Sequence, residues 1–261
     1  LLANVLGEFA GDLVEVDLLS SWLKPILFTL QIYFDFSGYS DMAIGLGLMF
    51  GFHFLENFNY PFIAKSITDF WRRWHISLSS FFRDYVYIPL GGNRVSKIKW
   101  LRNILIVWIL TGIWHGAAWN FVIWGLYFGL ILILEKVFLG KILEKLPKFI
   151  SRIYVLLTVI ISFIIFSGEN ANQVFENLKG LIGYNNIPLI SVESIYYFKS
   201  YLIVLLVGII GSTPIMKNIF SNKKLEKLTN TAEPIFLIVV LILSTSYIID
   251  SSFNPFLYFR F

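Results

Sequence analysis

His115 is the residue whose surroundings most strongly indicate chemistry, because it stands between two apolar runs. Its segment, residues 111–120, is rich in small residues such as Gly112 and Gly116, which permit close backbone approach or leave room for a substrate. Asn103, at the basic edge of the preceding run, lies about a dozen residues away, which is ~18 Å of helix and past half of a ~30 Å hydrocarbon core. An ionisable group at that depth is costly and is therefore a functional candidate.

A neutral imidazole in a low-dielectric environment is suited to act as a general base that takes a proton from a hydroxyl group. The alternative is that His115 only forms a hydrogen bond to a neighbouring helix. The His-x4-Asp signature of soluble-facing lipid acyltransferases is absent, because position 120 is Asn. The sequence also contains no Walker loop, HExxH or GxSxG motif.

The segment 70–88 predicts one amphipathic helix that lies in the membrane interface or dips into it. At 100° per residue, its apolar stripe consists of Trp71, Trp74, Leu78, Phe82 and Tyr85. His75 lies on this stripe and should face the membrane body, unless it snorkels to the interface like its Trp neighbours. Arg72 and Arg73 lie on the other side. They could bind phosphates of a cofactor or lipid headgroup, or act only as positive-inside anchors.

Two carboxylates, Asp35 and Asp41, interrupt the first apolar segment and must face protein or water. Their spacing puts them on different helix faces, so they make a poor acid–base pair. We expect Asp35 to form a structural ion pair with one of the two neighbouring arginines, Arg72 or Arg73. For Asp41, an ion pair and a place in a polar cavity both stay open. We interpret His53 as a boundary residue near the cytoplasmic end of this segment, and not as a catalytic residue.

The composition indicates a membrane protein. Of the 261 residues, 57% are hydrophobic and only 15% are charged, against about 25% charged in a typical soluble domain. The mean hydropathy is +0.71. The absence of cysteine excludes disulfides, thiol nucleophiles and zinc–thiolate sites. With three histidines we expect no metal site, and a net charge of +4 fits membrane orientation better than nucleic-acid binding.

The predicted fold is an all-α bundle of transmembrane helices with re-entrant or interfacial amphipathic pieces. The predicted spans are residues 25–50, 103–114, 117–134, 153–166, 195–210 and 234–249. Stretches rich in Lys and Arg at 83–102, 135–152 and 217–227 are expected in the cytoplasm, and the acidic stretch 168–194 outside. This makes 103–134 a hairpin that enters and leaves on the cytoplasmic side. A second amphipathic helix, 172–182, is expected on the outer surface.

We interpret residues 1–261 as one membrane-embedded domain. The chain begins with Leu1 instead of Met, and its opening residues lack the basic region of a signal peptide. We therefore expect an upstream portion to be missing.

Several segments together resemble the membrane-bound O-acyltransferase family, and in particular its bacterial alginate O-acetylation branch. The resemblance covers the chain from about Leu23 onwards. The matching segments are residues 34–43 (FDFSGYSDMA), 70–79 (FWRRWHISLS), 82–94 (FRDYVYIPLGGNR), 111–120 (TGIWHGAAWN) and 254–261 (NPFLYFRF).

This resemblance implies a helix bundle around a tunnel, with further N-terminal spans. It also implies that His115 is the catalytic residue and His75 a second histidine associated with activity. The implied donor is a cytoplasmic acyl thioester, acetyl-CoA, with no bound cofactor. The implied partners are a polysaccharide acceptor, membrane lipids and an extracytoplasmic acetyltransferase protein, at the bacterial inner or plasma membrane. The residues expected to contact substrates are Asp41, Arg72, Arg73, Trp114 and Asn120.

Two other functions stay open. The related teichoic-acid D-alanylation branch takes its acyl group from a carrier protein, although residues 89–94 fit polysaccharide acetylation better. A non-catalytic transporter or flippase subunit would also bury His and Asp side chains at membrane depth.

Overall fold

The computed structural model describes residues 1–222 and 226–250, and the regular elements in those ranges are helical. The predicted all-α class is therefore confirmed. The segment 254–261, and Lys223 and Lys224 of the third basic stretch, lie outside the described residues. The helices are α1 Leu2–Asp12, α2 Leu18–Met49, α3 Ile67–Trp71, α4 Ile76–Phe82, α5 Lys97–His115, α6 Trp119–Leu134, α7 Gly140–Leu143, α8 Lys148–Ser167, α9 Ala171–Leu181, α10 Val192–Ser200, α11 Leu202–Gly211, α12 Ile215–Phe220 and α13 Glu226–Asp250.

Three helical stretches among the described residues are long and apolar enough to cross a membrane: Trp119–Leu143, Lys148–Ser167 and Asn230–Ile249. The pair α10 and α11, bent by 59° at the break between them, would make a fourth span. These stretches correspond to four of the six predicted spans, so the chain has the architecture of a multi-pass membrane protein.

The other two predicted spans, residues 25–50 and 103–114, are helical but do not belong to this apolar set. They lie within α2, which has 32 residues, and α5, which has 19. The hydropathy of α2 is lowered by Lys24, Asp35 and Asp41, and that of α5 by the basic residues of its first turns. Both helices are long enough to cross a membrane, but their charged residues lower the mean hydropathy.

The helices α5 and α6 form a tight antiparallel hairpin, as predicted for 103–134. A Cβ atom added to Gly112 would collide with the carbonyl group of Phe121, and one added to Gly125 would collide with that of Trp108. The two backbones are therefore in direct contact, an approach that only glycine permits at these positions.

The helix α6 continues through a π turn, Glu135–Leu139, into α7 and packs antiparallel to α8. Asn120 donates a hydrogen bond to the Phe166 carbonyl oxygen at 2.7 Å near one end of the pair, and the Ser151 hydroxyl donates to the Leu143 carbonyl oxygen at 3.1 Å near the other. The start of α5, the end of α7 and the start of α8 therefore share one end of the bundle. The basic stretches 83–102 and 135–152 meet at this end, which we call the basic end. The C-termini of α5 and α8 lie at the opposite end.

The prediction of one continuous helix over residues 70–88 is wrong. The chain forms α3, then turns at residues 72–74, and His75 adopts a left-handed conformation with φ 46° before α4 begins. Backbone contacts with another segment hold this break, since Ile76 N–H donates to the Asn57 carbonyl at 3.0 Å and Asn59 N–H to the Arg73 carbonyl at 2.9 Å. The apolar stripe is otherwise buried as predicted, except for Tyr85, which is exposed.

The second amphipathic helix is α9, which packs against α2 and α8. Leu181 is buried in that contact, and its carbonyl oxygen accepts a hydrogen bond from Trp22 Nε1 at 3.0 Å. Phe175 and Ile182, which also belong to the predicted helix 172–182, are exposed.

Candidate active site

The α5–α6 hairpin places His115 at the last residue of α5, where the residue is only 9% exposed. Aromatic rings surround its imidazole. The ring centroids of Trp114 and Trp124 both lie 4.9 Å from that of His115, and the centroid of Phe166 lies 5.4 Å away. The sequence-based expectation of a buried histidine at this position is thus met, and α5, α6 and α8 each contribute to its surroundings.

His75 is 6% exposed and lies at the break between α3 and α4. The edge of its ring packs against Phe36 of α2, with centroids 4.6 Å apart, and against Trp114, with centroids 5.5 Å apart. Its Nδ1 atom lies 3.3 Å from the Asn57 side-chain oxygen. The left-handed backbone turns this side chain inward, whereas a continuous helix would have directed it along the apolar stripe.

The structure brings the two histidines of the predicted site together, although 40 positions separate them in the sequence. The Trp114 indole contacts both imidazole rings. Trp114 itself is half exposed. Two buried imidazoles beside one partly exposed indole therefore bring two potential proton acceptors into one place.

The two arginines predicted to bind substrate differ in their surroundings. The Arg73 side chain donates to the Asp69 carboxylate at 2.9 Å and to the Asn59 carbonyl at 3.3 Å. Arg73 is thus paired with Asp69, and the ion pair that we expected for Asp35 stays a prediction. Arg72 is exposed and lines a cavity at the basic end. Arg72 is therefore better placed than Arg73 to meet a ligand.

The remaining predicted contacts are distributed over other parts of the bundle. Asn120 uses its side-chain amide to bind the Phe166 carbonyl, so it joins α6 to α8 beside His115. Asp41 is exposed near the C-terminal end of α2, and the charge of Glu56 reaches it. The structure thus places Asn120 and Trp114 next to His115, and Asp41 on a separate exposed part of α2.

A cavity of about 490 Å³ lies at the basic end, where Arg72, Arg83 and Lys136 make its lining cationic. Trp71 and Trp108 form part of its wall. Their rings contact Trp124, with centroids 5.8 Å and 6.4 Å away, and Trp124 contacts His115. Two successive layers of tryptophan rings, Trp71 and Trp108 and then Trp124, therefore separate this cavity, which we call the cationic cavity, from His115.

A second cavity, of about 610 Å³, lies at the opposite end of the bundle between α1, α2, α8 and α9. Its lining includes the polar residues Lys24, Ser167 and Asn177, together with Phe28. Phe28 contacts Phe163 and Phe163 contacts Phe166, with centroids 6.1 Å and 6.2 Å apart. Aromatic rings thus link His115 to a polar cavity at each end of the bundle.

Two residues with structural importance at this site were not identified from the sequence. Asn57 contacts His75, and buried Glu135 accepts hydrogen bonds at the start of α3. Glu135 follows an apolar run directly, and a lone carboxylate in that position is a signal that could have been noticed. Asn57 lies in an ordinary loop sequence that gives no comparable signal.

The described residues contain no group of three or more His, Asp or Glu side chains that could hold a metal ion.

Comparison with known proteins identifies the family. The model of the MBOAT, membrane-bound O-acyltransferase family, matches residues 13–175. A probable alginate O-acetylase of Azotobacter vinelandii is 42% identical over 197 residues, which cover 72% of this chain and 40% of that protein. A peptidoglycan O-acetyltransferase of Helicobacter pylori is 39% identical over 187 residues, covering 70% of this chain and 36% of the relative.

A more distant relative is the teichoic acid D-alanyltransferase of Bacillus subtilis, which is 37% identical over 146 residues, covering 52% of this chain and 36% of that protein. The chain spans less than half the length of each of these three relatives. The family match extends over more than half of the chain and includes both buried histidines. This chain belongs to the membrane-bound O-acyltransferase family.

Proposed function

We propose that this chain carries the catalytic part of an O-acetyltransferase in the inner or plasma membrane of a bacterium. It would move an acetyl group from a thioester on the cytoplasmic side to a polysaccharide on the outer side. The observation that carries this proposal is the placement of His75 and His115 around Trp114, with aromatic rings that link His115 to a polar cavity at each end of the bundle.

The donor would enter at the basic end, which we assign to the cytoplasm because basic residues concentrate there. The cationic cavity suits the phosphate groups of acetyl-CoA, since Arg72 and Lys136 supply positive charge in its lining. The Arg83 guanidinium is engaged by Asp84, with Nε 2.7 Å from the carboxylate. Arg72 is therefore the principal phosphate ligand in this proposal.

In the chemical step, His115 takes the proton from the acceptor hydroxyl as its oxygen attacks the thioester carbonyl carbon. The new carbon–oxygen bond forms, the carbon–sulfur bond breaks, and the proton passes to the departing thiolate. The aromatic rings around His115 exclude water, which would otherwise hydrolyse the thioester.

The acceptor is a hydroxyl group destined for an exported polysaccharide. Relatives of this chain are named for the O-acetylation of alginate and of peptidoglycan, and both acceptors are rich in hydroxyl groups. The family resemblance adds an extracytoplasmic acetyltransferase protein as the partner that completes the transfer. The second cavity is the part of the bundle suited to receive the acceptor side, because its lining includes serine hydroxyls, the Asn177 amide and the charged groups of Lys24, Glu176 and Lys179.

D-alanyl transfer to teichoic acid from a carrier protein is the second candidate, favoured by the Bacillus subtilis relative. The two activities differ in the acyl group that disappears from the cell envelope when the gene is deleted. Loss of D-alanine esters would replace our assignment with this one.

The direct test is a strain that carries His115→Ala in the full-length protein. We expect the acetyl content of the exported polysaccharide to fall about 100-fold or more, the usual loss when a general base is removed. The control is His53→Ala, because His53 is exposed and lies on another part of the chain. Both variants must insert into the membrane at equal levels. Unchanged acetylation in His115→Ala would defeat the catalytic assignment.

A non-catalytic transporter subunit would behave differently in a purified system. Protein in lipid nanodiscs, supplied with labelled acetyl-CoA and the partner protein, should release free CoA at a rate that depends on His115. A transporter would move substrate without breaking the thioester bond.

A further inference from the structure

Asn57, in the segment between α2 and α3, caps the first turn of α4 from outside that helix. Its side-chain oxygen Oδ1 accepts hydrogen bonds from the backbone N–H of Ser77 at 3.1 Å and from the Ser77 hydroxyl at 2.9 Å. Its own backbone carbonyl accepts from Ile76 N–H at 3.0 Å. The same Oδ1 atom lies 3.3 Å from His75 Nδ1. One side chain therefore fixes both the start of α4 and one nitrogen of the buried imidazole.

These contacts determine which imidazole nitrogen carries the proton. A backbone N–H can only donate, so the Asn57 atom that faces Ser77 N–H must be the amide oxygen. An amide oxygen can only accept, so His75 Nδ1 donates in its contact with Asn57. The Ser77 hydroxyl also lies 3.4 Å from Nδ1, but its proton goes to Asn57 Oδ1 at 2.9 Å, so this hydroxyl can only accept from Nδ1 as well. The amide nitrogen of Asn57 supports this orientation of the side chain, because Nδ2 donates to the Ser40 hydroxyl oxygen at 3.1 Å. A neutral imidazole has one proton, and its Nε2 atom is then left with a lone pair.

Nε2 of His75 is buried and has no hydrogen-bond partner within the described part of the chain. The ring neighbours that the structure places beside this imidazole are Phe36 and Trp114, which are aromatic. A buried acceptor without a partner is unfavourable, and such an atom is expected to have a role or a ligand. His115 packs against the same indole, since the ring centroids of Trp114 lie 5.5 Å from His75 and 4.9 Å from His115.

We propose that Asn57 is a positioning residue that holds His75 in the tautomer with the proton on Nδ1, so that Nε2 acts as a hydrogen-bond acceptor within the active site. The proposal rests on the function proposed above. With its lone pair on Nε2, His75 can accept a hydrogen bond from a reactant or from the imidazolium that forms when His115 takes the hydroxyl proton. With the proton on Nε2 it could only donate, and it would oppose that positive charge.

The tautomer can be measured independently of activity. The full-length protein, labelled with ¹⁵N-histidine and placed in lipid nanodiscs at neutral pH, gives distinct NMR signals for protonated and unprotonated ring nitrogens. The signals of His75 are those that disappear in His75→Gln. We expect the proton on Nδ1 in the wild type and in Asn57→Asp, and a shift towards Nε2 in Asn57→Leu. A wild-type proton on Nε2, or an Asn57→Leu spectrum identical to the wild type, would overturn the proposal.

The kinetic consequences separate positioning from simple structural support. Asn57→Leu should lower kcat at least tenfold with little change in KM for acetyl-CoA. Asn57→Asp keeps the same shape and acceptor atoms but adds a negative charge that stabilises protonated His75. Since protonated His75 repels the proton taken up by His115, the acidic limb of the pH–rate profile should move to higher pH. An Asn57→Asp profile that superimposes on the wild type would contradict the proposal.

The matched control is Asn59→Ala. Asn59 is exposed on the same loop and contacts Arg73 through its backbone, which alanine retains. It should keep wild-type kinetics and the wild-type His75 spectrum. A wild-type protein that shows the Nδ1 tautomer but transfers no acyl group would refute the proposed function while the role of Asn57 in setting the tautomer stands.

Discussion

The buried carboxylate of Glu135 accepts two hydrogen bonds from Thr68, one from the backbone N–H at 2.9 Å and one from the hydroxyl at 2.7 Å. Its other oxygen accepts from Ile67 N–H at 2.6 Å and from the Tyr154 hydroxyl at 3.1 Å. Glu135 therefore supplies a negative charge to the first two N–H groups of α3, which lack partners within the helix. It also links the α6 side of the hairpin and α8 to the segment that carries His75.

Replacing Glu135 with alanine should destabilise the protein by roughly 2–4 kcal/mol, because two backbone N–H groups lose their acceptor in a buried place. Glu135→Gln should lose less, since it keeps one acceptor oxygen. Thermal unfolding in nanodiscs, followed by tryptophan fluorescence, measures the difference. The control is Glu144→Ala, at an exposed carboxylate. Equal unfolding temperatures for Glu135→Ala and the control would show that this cap is unimportant.

The two adjacent arginines should respond differently to alanine substitution. Arg72→Ala removes a charge from the cationic cavity and should raise KM for acetyl-CoA about tenfold, the effect of one charge-assisted hydrogen bond. Arg73→Ala breaks the ion pair with Asp69 and should lower the unfolding temperature more than it changes KM. Steady-state kinetics at two salt concentrations test this, with Lys145→Ala as an exposed control. If Arg72→Ala leaves KM and its salt dependence unchanged, the donor phosphates bind elsewhere.

The contact between α5 and α6 should not tolerate a methyl group. Gly125→Ala places a Cβ against the Trp108 carbonyl group, so the hairpin must separate, at a cost of about 1–3 kcal/mol. The displacement would also move His115, and activity should fall with stability. Gly45→Ala in α2 is the matched control, because nothing lies within 4 Å of its added Cβ. We expect that control to be neutral or slightly stabilising, since alanine favours helix. A Gly125→Ala protein as stable and active as the control would mean that the hairpin can relax.

Asp17 lies at the start of α2, ahead of its apolar run. This residue should make the stability of the folded protein depend on pH. Burial raises the pKa of this carboxyl group, but the serine groups facing it on Ser194, Ser20 and Ser191 outweigh burial and hold the pKa below its ordinary value of 3.8. The folded state then binds its proton less readily than the unfolded state. The stabilisation is present above the unfolded pKa and is lost as the pH falls through the folded pKa.

We therefore expect the wild-type unfolding temperature to fall below about pH 4 by more than that of Asp17→Asn, which has no charge to lose. Glu169→Gln, at an exposed carboxylate, should follow the wild type. Parallel pH curves for the wild type and Asp17→Asn would refute the assignment. Unfolding temperatures measured at several pH values provide the comparison.

The sequence by itself determined the class of protein, and it singled out the histidine on which the proposed function is built. Its apolar composition requires lipid, and the distance of His115 from the basic edge of its helix places that residue deep in the bundle. Both conclusions depend on local quantities, namely composition and rise per residue, which do not require knowledge of distant partners. The motifs around His75 and His115 likewise identified the family.

Only the tertiary structure decided that His75 and His115 share one site, and how each is held. Helical periodicity predicted an unbroken helix over 70–88, because it takes no account of Asn57, which stabilises the break at His75 through the backbone and side chain of another segment. The role of Glu135 at the start of α3 depends in the same way on a contact across 68 positions. Hydrogen bonds between segments far apart in the chain leave no periodic pattern in either segment, and these bonds determine the geometry of the site.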